Sequence, residues 1–125
     1  MSKQKTIAFD LDNVLCHRQN EFEKLGPLKY DYCIPNEKMI ELVNSLYDEG
    51  YKIVIYTARG MLQFNGNVTE IYSQLYAKTL KYLDDWGLKY HQLVMGKIYY
   101  DILIDDKAVN SLNITKETIT QFLYE

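Results

Sequence analysis

The stretch Ile7-Ala8-Phe9-Asp10-Leu11-Asp12-Asn13-Val14-Leu15 combines an apolar run with two carboxylates spaced two residues apart. The run predicts a buried strand, and Asp10 then lies at its carboxyl end, where α/β proteins place their ligands. Side chains alternate along a strand, so Asp10 and Asp12 project toward one site if the backbone stays extended. Two acids in one place repel each other, and a divalent cation is the usual partner that joins them.

A second acidic pair, Asp105-Asp106, ends the apolar run of residues 102–104. Two strands that each end in acids predict one metal site with a carboxylate nucleophile at a shared edge of a sheet.

Composition predicts one ordinary globular domain over residues 1–125, because hydrophobic content is 47% and charged content 25%. The net charge is −3 and no basic block follows the pattern of a nucleic-acid binding surface, so we expect no nucleic-acid partner. No apolar stretch is long enough for a membrane span, and no signal-peptide pattern opens the chain, so we expect a cytoplasmic protein. Cys16 and Cys33 lack a metal or redox spacing and are expected to be free thiols.

Strand and helix patterns alternate along the chain, which predicts an α/β fold with a parallel sheet covered on both faces and the first strand in its middle. Residues 16–35 have no clean period and are expected to form a loop or flap over the strand ends. The strands are expected at residues 6–9, 52–56, 92–95 and 100–104, and the helices at 36–48 (capped by Asn36), 72–86 and 112–124 (capped by Thr115).

The residues at the strand ends are suited to phosphate-ester chemistry. Asp10 can attack phosphorus to form an aspartyl phosphate, and Asp12 can protonate the leaving oxygen and later activate water. Thr57 offers a hydroxyl to a phosphoryl oxygen, and Lys97 offers a positive charge.

Mg²⁺ is the expected cofactor, because it prefers oxygen ligands and keeps several waters. Asp10, the backbone carbonyl of Asp12 and one carboxylate of Asp105 or Asp106 form the expected ligand set.

The order of these residues resembles the four-motif signature of the haloacid dehalogenase (HAD) superfamily over residues 6 to about 110. The matching positions are Asp10-Leu11-Asp12-Asn13-Val14, Thr57 after an apolar strand, Lys97, and Ile104-Asp105-Asp106. Asn13 stands where that superfamily more usually has glycine. The resemblance implies a Rossmann-like three-layer domain in which Asp10 is the nucleophile, Asp12 the general acid/base, Thr57 a phosphate ligand and Lys97 the third-motif lysine.

The resemblance leaves two assignments open. Asp106 is favoured as the direct metal ligand with Asp105 in support, and Lys107 is the substitute for Lys97.

Residues 56–60 and 96–108 resemble a narrower group, small phosphatase-like proteins associated with capsular polysaccharide biosynthesis. This implies a phosphorylated sugar or small precursor as substrate, with Ala58 beside Thr57 at the phosphate. Arg59 is read equally well as a contact to a substrate phosphate or carboxylate and as an ordinary surface arginine. The segments between the motifs leave no room for a separate cap domain, and capless members act on large substrates or close the site with a neighbouring subunit, so a homo-oligomer is one expectation.

Three alternatives remain at this point. Capless members also remove phosphate from nucleic-acid ends or phosphoproteins, although the acidic balance disfavours nucleic acid. A catalytically idle binding or scaffold module could keep the fold, although idle copies are expected to lose a key acid. Phosphotransfer to an acceptor other than water is also compatible with these residues.

Overall fold

A computed structural model describes residues 3–124 of the chain. The domain expected over residues 1–125 therefore includes residues 1, 2 and 125, which lie outside the described residues. In chain order, the elements are β1 (Thr6–Phe9), β2 (Cys16–His17), a 3-10 segment (Asn20–Tyr32), β3 (Ile34–Pro35), α1 (Glu37–Asp48), β4 (Lys52–Thr57), α2 (Val68–Ile71), a π-helical turn (Tyr72–Tyr76), α3 (Ala77–Asp85), β5 (Gln92–Met95) and α4 (Lys116–Tyr124). No helix between residues 3 and 124 is long and apolar enough to cross a lipid bilayer.

The main sheet consists of three parallel strands in the order β1-β4-β5. Phe9 pairs with Ile55, and Thr57 pairs with Met95, so the carboxyl ends of all three strands lie at the same edge. Ile53 and Ile55 are fully buried in β4, and each such side chain stabilises the fold by about 1.5–3 kcal/mol. The predicted strands at 6–9, 52–56 and 92–95 are confirmed to within one residue. The described residues form the expected Rossmann-like α/β domain, with no separate cap among them.

The position of β1 differs from the prediction. β4 occupies the middle of the sheet, and among the described residues β1 pairs only with β4. The expected fourth strand at residues 100–104 does not form, and Ile104 is 90% exposed. An apolar run favours a strand locally, but strand formation also needs a partner edge, and residues 102–104 pair with no strand among the described residues.

α1 begins where the sequence predicts. The side chain of Asn36 accepts a hydrogen bond from the Met39 backbone N–H at 3.2 Å, which satisfies one of the free amides of the first turn. Its apolar stripe is buried against the core through Ile40, Val43 and Leu46. α1 contacts β4 and thereby holds the middle strand from one side.

The predicted helix at residues 72–86 starts earlier, because Asn67 caps it through the Glu70 N–H at 3.1 Å. α2, the π-helical turn and α3 follow one another without a gap. The Tyr72 hydroxyl at the start of the π-helical turn accepts a hydrogen bond from the Met95 N–H at 3.0 Å. This bond ties the helix to the last residue of β5, next to the edge where the strand ends meet.

Residues 16–35 are more ordered than the predicted loop. Cys16 pairs with Pro35 and His17 with Ile34 in a short antiparallel ladder. Between them runs the 3-10 segment, which leaves helical geometry at Gly26 (φ 62°). The sequence carries no signal for these elements because strands of two residues and 3-10 turns produce no sustained repeat.

The closing helix is shorter than the predicted 112–124. It begins at Lys116, and the cap at Thr115 is confirmed by the hydrogen bond from the Thr118 N–H to Thr115 Oγ1 at 3.2 Å.

Candidate active site

A cleft of about 340 Å³ opens at the edge where the carboxyl ends of β1 and β4 meet. Six predicted site residues line it, namely Asp10, Asp12, Thr57, Ala58, Arg59 and Lys97. A second cavity, of about 480 Å³, lies near the start of β1 and is lined by Lys5, Tyr51 and Tyr124 among others. It contains none of the predicted site residues, so the cleft at the strand ends is the candidate site.

Asp10 and Lys97 face each other in the cleft. Asp10 Oδ1 accepts a hydrogen bond from the Leu11 N–H at 2.7 Å, and Asp10 Oδ2 lies 3.4 Å from Lys97 Nζ. Burial works to lower the pKa of Lys97, but Tyr100 and the Asp10 carboxylate outweigh it and raise the pKa. Lys97 is therefore a fixed positive charge beside one carboxylate oxygen.

Asp12 is held by Arg59 through two bonds. Arg59 Nε lies 2.9 Å from Asp12 Oδ2, and Arg59 Nη2 lies 3.1 Å from Asp12 Oδ1. The guanidinium stacks on the Tyr30 ring at 4.6 Å. Burial tends to lower the pKa of Arg59, yet the Asp12 carboxylate more than compensates and raises it. This bidentate pair fixes the orientation of the Asp12 carboxylate.

Burial distinguishes Arg59 from an ordinary surface arginine. Only 2% of the residue is exposed, so it is not a surface arginine. Its Nη1 atom is buried and has no hydrogen-bond partner among the described residues. The guanidinium therefore holds Asp12 and keeps one donor unused.

Thr57 is placed by the loop that follows β4. Its hydroxyl accepts a hydrogen bond from the Arg59 N–H at 3.0 Å, and its carbonyl accepts one from the Lys97 N–H at 3.1 Å. The hydroxyl proton of Thr57 remains available to donate, as the sequence-based reading requires for a phosphate ligand.

Two cysteine sulfurs adjoin the Asp12–Arg59 pair. The pKa of Cys33 is lowered by a hydrogen bond with Cys16 and by the nearby Arg59 charge, despite burial. The pKa of Cys16 is raised by its hydrogen bond with Cys33 and by burial. Both are free thiols, as predicted from their spacing.

The second acidic pair does not reach the cleft in this arrangement. Residues 101–110 are all exposed, and neither Asp105 nor Asp106 lines the cleft. A hydrogen bond from the Lys107 N–H to Asp105 Oδ1 at 3.1 Å lowers the pKa of Asp105. Lys97 lines the cleft and Lys107 does not.

The oxygen donors expected for Mg²⁺ are only partly assembled. Asp10 offers a carboxylate that is 38% exposed, whereas both carboxylate oxygens of Asp12 are engaged by Arg59. In the part of the chain that the structure describes, the one group of three metal-ligating side chains is Asp12, Cys16 and Cys33. Thiols suit softer metals than Mg²⁺, and the guanidinium already occupies this group. The arrangement therefore does not form a complete Mg²⁺ site.

Several cleft residues had no signal in the sequence. Tyr30 donates to Gln63 Oε1 at 3.3 Å and accepts from the Gly60 N–H at 3.1 Å. Arg18 and Lys29 also line the cleft, and both form ion pairs with Glu23. All three lie on the segment of residues 16–35, where no periodic pattern indicated which side chains turn inward.

The family model of polynucleotide kinase 3 phosphatase matches residues 5–97, which is most of the chain. The chain belongs to this family. It therefore has the fold of the HAD-like phosphatases, as the wider resemblance implied, whereas nothing in the match supports the capsular polysaccharide group.

A solved structure of a structural-genomics target from Vibrio cholerae is similar over nearly the whole length of both proteins. The sequences are 29% identical, the TM-score is 0.78, and the alignment covers 95% of this chain and 96% of that one. None of the curated proteins compared with the chain matches it. The family match includes Asp10, Asp12, Thr57 and Lys97 and ends before the second acidic pair.

Proposed function

We propose that this phosphatase-family chain is a Mg²⁺-dependent phosphomonoester hydrolase in which Asp10 is the nucleophile. The observation that carries the proposal is the cleft geometry, in which a carboxylate oxygen of Asp10 lies 3.4 Å from Lys97 Nζ at the carboxyl end of β1. The substrate we propose is a small phosphorylated compound, with a sugar phosphate of surface polysaccharide assembly as the first class to test. A cleft of about 340 Å³ is of the size that accepts a small molecule.

The first half of the reaction forms a bond between an Asp10 carboxylate oxygen and phosphorus. The ester bond breaks, and Asp12, which enters this step protonated, donates its proton to the leaving oxygen and becomes a carboxylate. Lys97 reduces the repulsion between the Asp10 carboxylate and the phosphate dianion, and the Thr57 hydroxyl donates to a phosphoryl oxygen.

In the second half, Asp12 takes a proton from water, and the hydroxide attacks phosphorus to release phosphate from Asp10. Both Asp12 oxygens contact Arg59 in the structure. One of these two bonds must open for each proton transfer, and the other keeps the carboxylate in place.

Mg²⁺ would add positive charge at the transferring phosphoryl group. We propose that Asp10 and the backbone carbonyl of Asp12 contribute to its site, together with Asp106 or Asp105. These last two residues must first move from their exposed positions to the cleft.

A second candidate substrate is a phosphorylated nucleic-acid end. The family match favours it. So does the local charge, because Arg18, Lys29, Arg59 and Lys97 line the cleft. Against Asp10, Asp12 and Glu23, which pairs with Arg18 and Lys29, they leave an excess of one positive charge, whereas the whole chain has a net charge of −3. Positive charge confined to the site can hold the end of a strand without a basic surface elsewhere.

The test is phosphate release from sugar phosphates, small phosphomonoesters and 3′-phosphorylated oligonucleotides, with Mg²⁺ and with chelator. We expect Mg²⁺-dependent turnover by the wild type and a decrease on the order of 10³-fold or more in Asp10→Asn. The matched control is Asp85→Asn, which removes a charge from an exposed ion pair with Lys81 and should leave the rate unchanged. Equal rates in wild type and Asp10→Asn would overturn the assignment of the nucleophile.

The same assay separates the two substrate classes. If nucleic-acid ends are the substrate, kcat/KM for the oligonucleotide decreases steeply with added salt. Lys29→Gln then lowers kcat/KM for the oligonucleotide more than for a sugar phosphate. A higher kcat/KM for sugar phosphates, with little salt dependence, supports the small-molecule class.

A further inference from the structure

Two thiols lie against the Asp12–Arg59 pair and have no part in the reaction above. Cys16 Sγ, Cys33 Sγ and a carboxylate oxygen of Asp12 all lie within 4.8 Å of one another. The ladder between β2 and β3 brings the two cysteines together, because Cys16 begins β2 and Cys33 directly precedes β3.

Each sulfur contacts both members of the ion pair. Arg59 Nη2 lies 3.5 Å from Cys16 Sγ and 3.4 Å from Cys33 Sγ. Asp12 Oδ1 lies 3.7 Å from each of the two sulfurs. Asp12 Oδ1 is therefore surrounded by Arg59 Nη2 and the two thiols.

We propose that Cys16 and Cys33 form a reversible redox modification site, in which a hydroperoxide converts the two thiols to an intrachain disulfide that alters the contacts of Asp12. The assignment of the disulfide is independent of the proposed function, and only its effect on turnover rests on it. Cys33 is partly exposed whereas Cys16 is fully buried. Cys33 is thus the thiol that reacts with the oxidant, and Cys16 is the thiol that then attacks the oxidised Cys33 sulfur.

The oxidation is balanced with hydrogen peroxide as oxidant. Cys33 sulfur attacks one peroxide oxygen, the O–O bond breaks, and the other oxygen leaves as water, which yields a sulfenic acid at Cys33. Cys16 sulfur then attacks Cys33 sulfur, the S–O bond breaks, and a second water leaves. The two thiols lose two electrons and two protons in total, and the peroxide gains them.

The local structure allows the sulfurs to approach the separation of about 2.05 Å that a disulfide needs. β2 and β3 are two residues long, and Cys33 lies outside the ladder, so few backbone bonds resist the movement. A disulfide has no S–H group. When the disulfide forms, Asp12 Oδ1 therefore no longer accepts a hydrogen bond from either sulfur.

The test treats the reduced full-length chain with hydrogen peroxide, blocks the remaining thiols by alkylation and measures intact and peptide masses. We expect the mass to decrease by that of two hydrogen atoms, no thiol to remain for alkylation, and the Cys16 and Cys33 peptides to be cross-linked. Dithiothreitol should restore both thiols. Cys33→Ser should form no intrachain cross-link, and because Cys33 is partly exposed this variant serves even if Cys16→Ser does not fold.

The second readout is phosphate release by the same samples, each compared with its own reduced form. We expect oxidation of the wild type to lower turnover on the order of 10-fold, less than the loss of the general acid itself, and dithiothreitol to restore it. Two thiols that stay free, become sulfinic acids or link separate chains would overturn the disulfide. An intrachain cross-link with unchanged turnover would overturn the link to Asp12. If no phosphatase activity is found with any substrate, the measured masses alone show whether the disulfide between Cys16 and Cys33 forms.

Discussion

Arg59 connects the loop after β4 to the first acidic motif. Its backbone N–H contacts Thr57, its guanidinium holds Asp12, and its flat face stacks on Tyr30. Burying a charged side chain costs free energy because the charge loses its contacts with water. The Asp12 carboxylate offsets this cost only while it stays paired with the guanidinium. The same contacts that position Asp12 thus also stabilise the fold.

Removal of the Arg59 charge tests this coupling. We expect Arg59→Gln to lower the free energy of unfolding by about 3–5 kcal/mol, because Asp12 is left without its partner in a largely buried place. Urea denaturation measures the change. Arg18→Gln is the matched control and should cost no more than about 1 kcal/mol, since Arg18 forms a partly exposed ion pair with Glu23. If the double variant Asp12→Asn/Arg59→Gln loses the sum of the two single effects, the two residues are not coupled.

Gly60 lies at a point of close approach beside the cleft. Its φ is +81°, and an added Cβ would lie 2.7 Å from Leu75 Cδ1 and 3.2 Å from Ile71 Cγ1. Gly87 has a similar φ of +74° but no atom within 4 Å of the same position. The two glycines therefore differ mainly in the space around them.

Alanine at these two positions separates backbone strain from steric clash. We expect Gly87→Ala to cost about 1–2 kcal/mol from the left-handed backbone alone. Gly60→Ala should cost a further 1–3 kcal/mol or so from overpacking against Leu75. Thermal or urea unfolding of the two variants gives the difference, and equal costs would contradict the close approach.

At the scale of elements, two tyrosine hydroxyls join helix α3 to segments outside it. The Tyr82 hydroxyl on α3 donates to Asp31 in the 3-10 segment, and the Tyr90 hydroxyl donates to Asp84 at 3.0 Å. Burial and these hydrogen bonds raise the pKa of both tyrosines to about 12. The contacts exist only in the folded chain, so they make its stability depend on pH.

The direction of this dependence follows from the two pKa values. An unfolded tyrosine loses its proton near pH 10, whereas Tyr82 and Tyr90 keep theirs to about pH 12. Between about pH 10 and 12 the folded state binds more protons, so the free energy of unfolding decreases as pH rises. Urea denaturation across this window should show the decrease, and Tyr82→Phe/Tyr90→Phe should show a smaller one. An unchanged slope in the double variant would assign the effect to other groups.

At the scale of the whole molecule, the sheet differs from the predicted one in two ways. β4 and not β1 lies in its middle, and the apolar run at residues 102–104 is exposed and does not form a strand. Ile104 is 90% exposed, whereas Ile55 in the middle strand is fully buried. The sheet is thus stabilised from β4 outward, and the run contributes little to the core.

Two matched substitutions test this arrangement. We expect Ile55→Ala to cost about 2–5 kcal/mol from lost burial and the cavity left behind. Ile104→Ala should change the free energy of unfolding by no more than about 0.5 kcal/mol, as for other exposed sites. Comparable costs would mean that residues 102–104 pack against the sheet in solution. Repeating both measurements with Mg²⁺ shows whether the metal draws this run, and with it Asp105 and Asp106, to the cleft.

The sequence by itself determined the features that depend on neighbours along the chain. Asn36 and Thr115 cap their helices because a cap bond joins residues three apart. The strands ending at Phe9, Thr57 and Met95 follow from short apolar runs. Because parallel strands share one edge for their carboxyl ends, Asp10, Thr57 and Lys97 could be assigned to one cleft before any coordinates were known.

Only the tertiary structure decided which distant groups meet. The pairing of Arg59 with Asp12, the stacking of Tyr30 and the approach of Cys16 to Cys33 depend on how residues 16–35 fold over the strand ends. The order of the strands, with β4 in the middle, likewise depends on which edges find a partner. Contacts between residues far apart in sequence depend on packing and on the burial of charge, which no local period or spacing encodes.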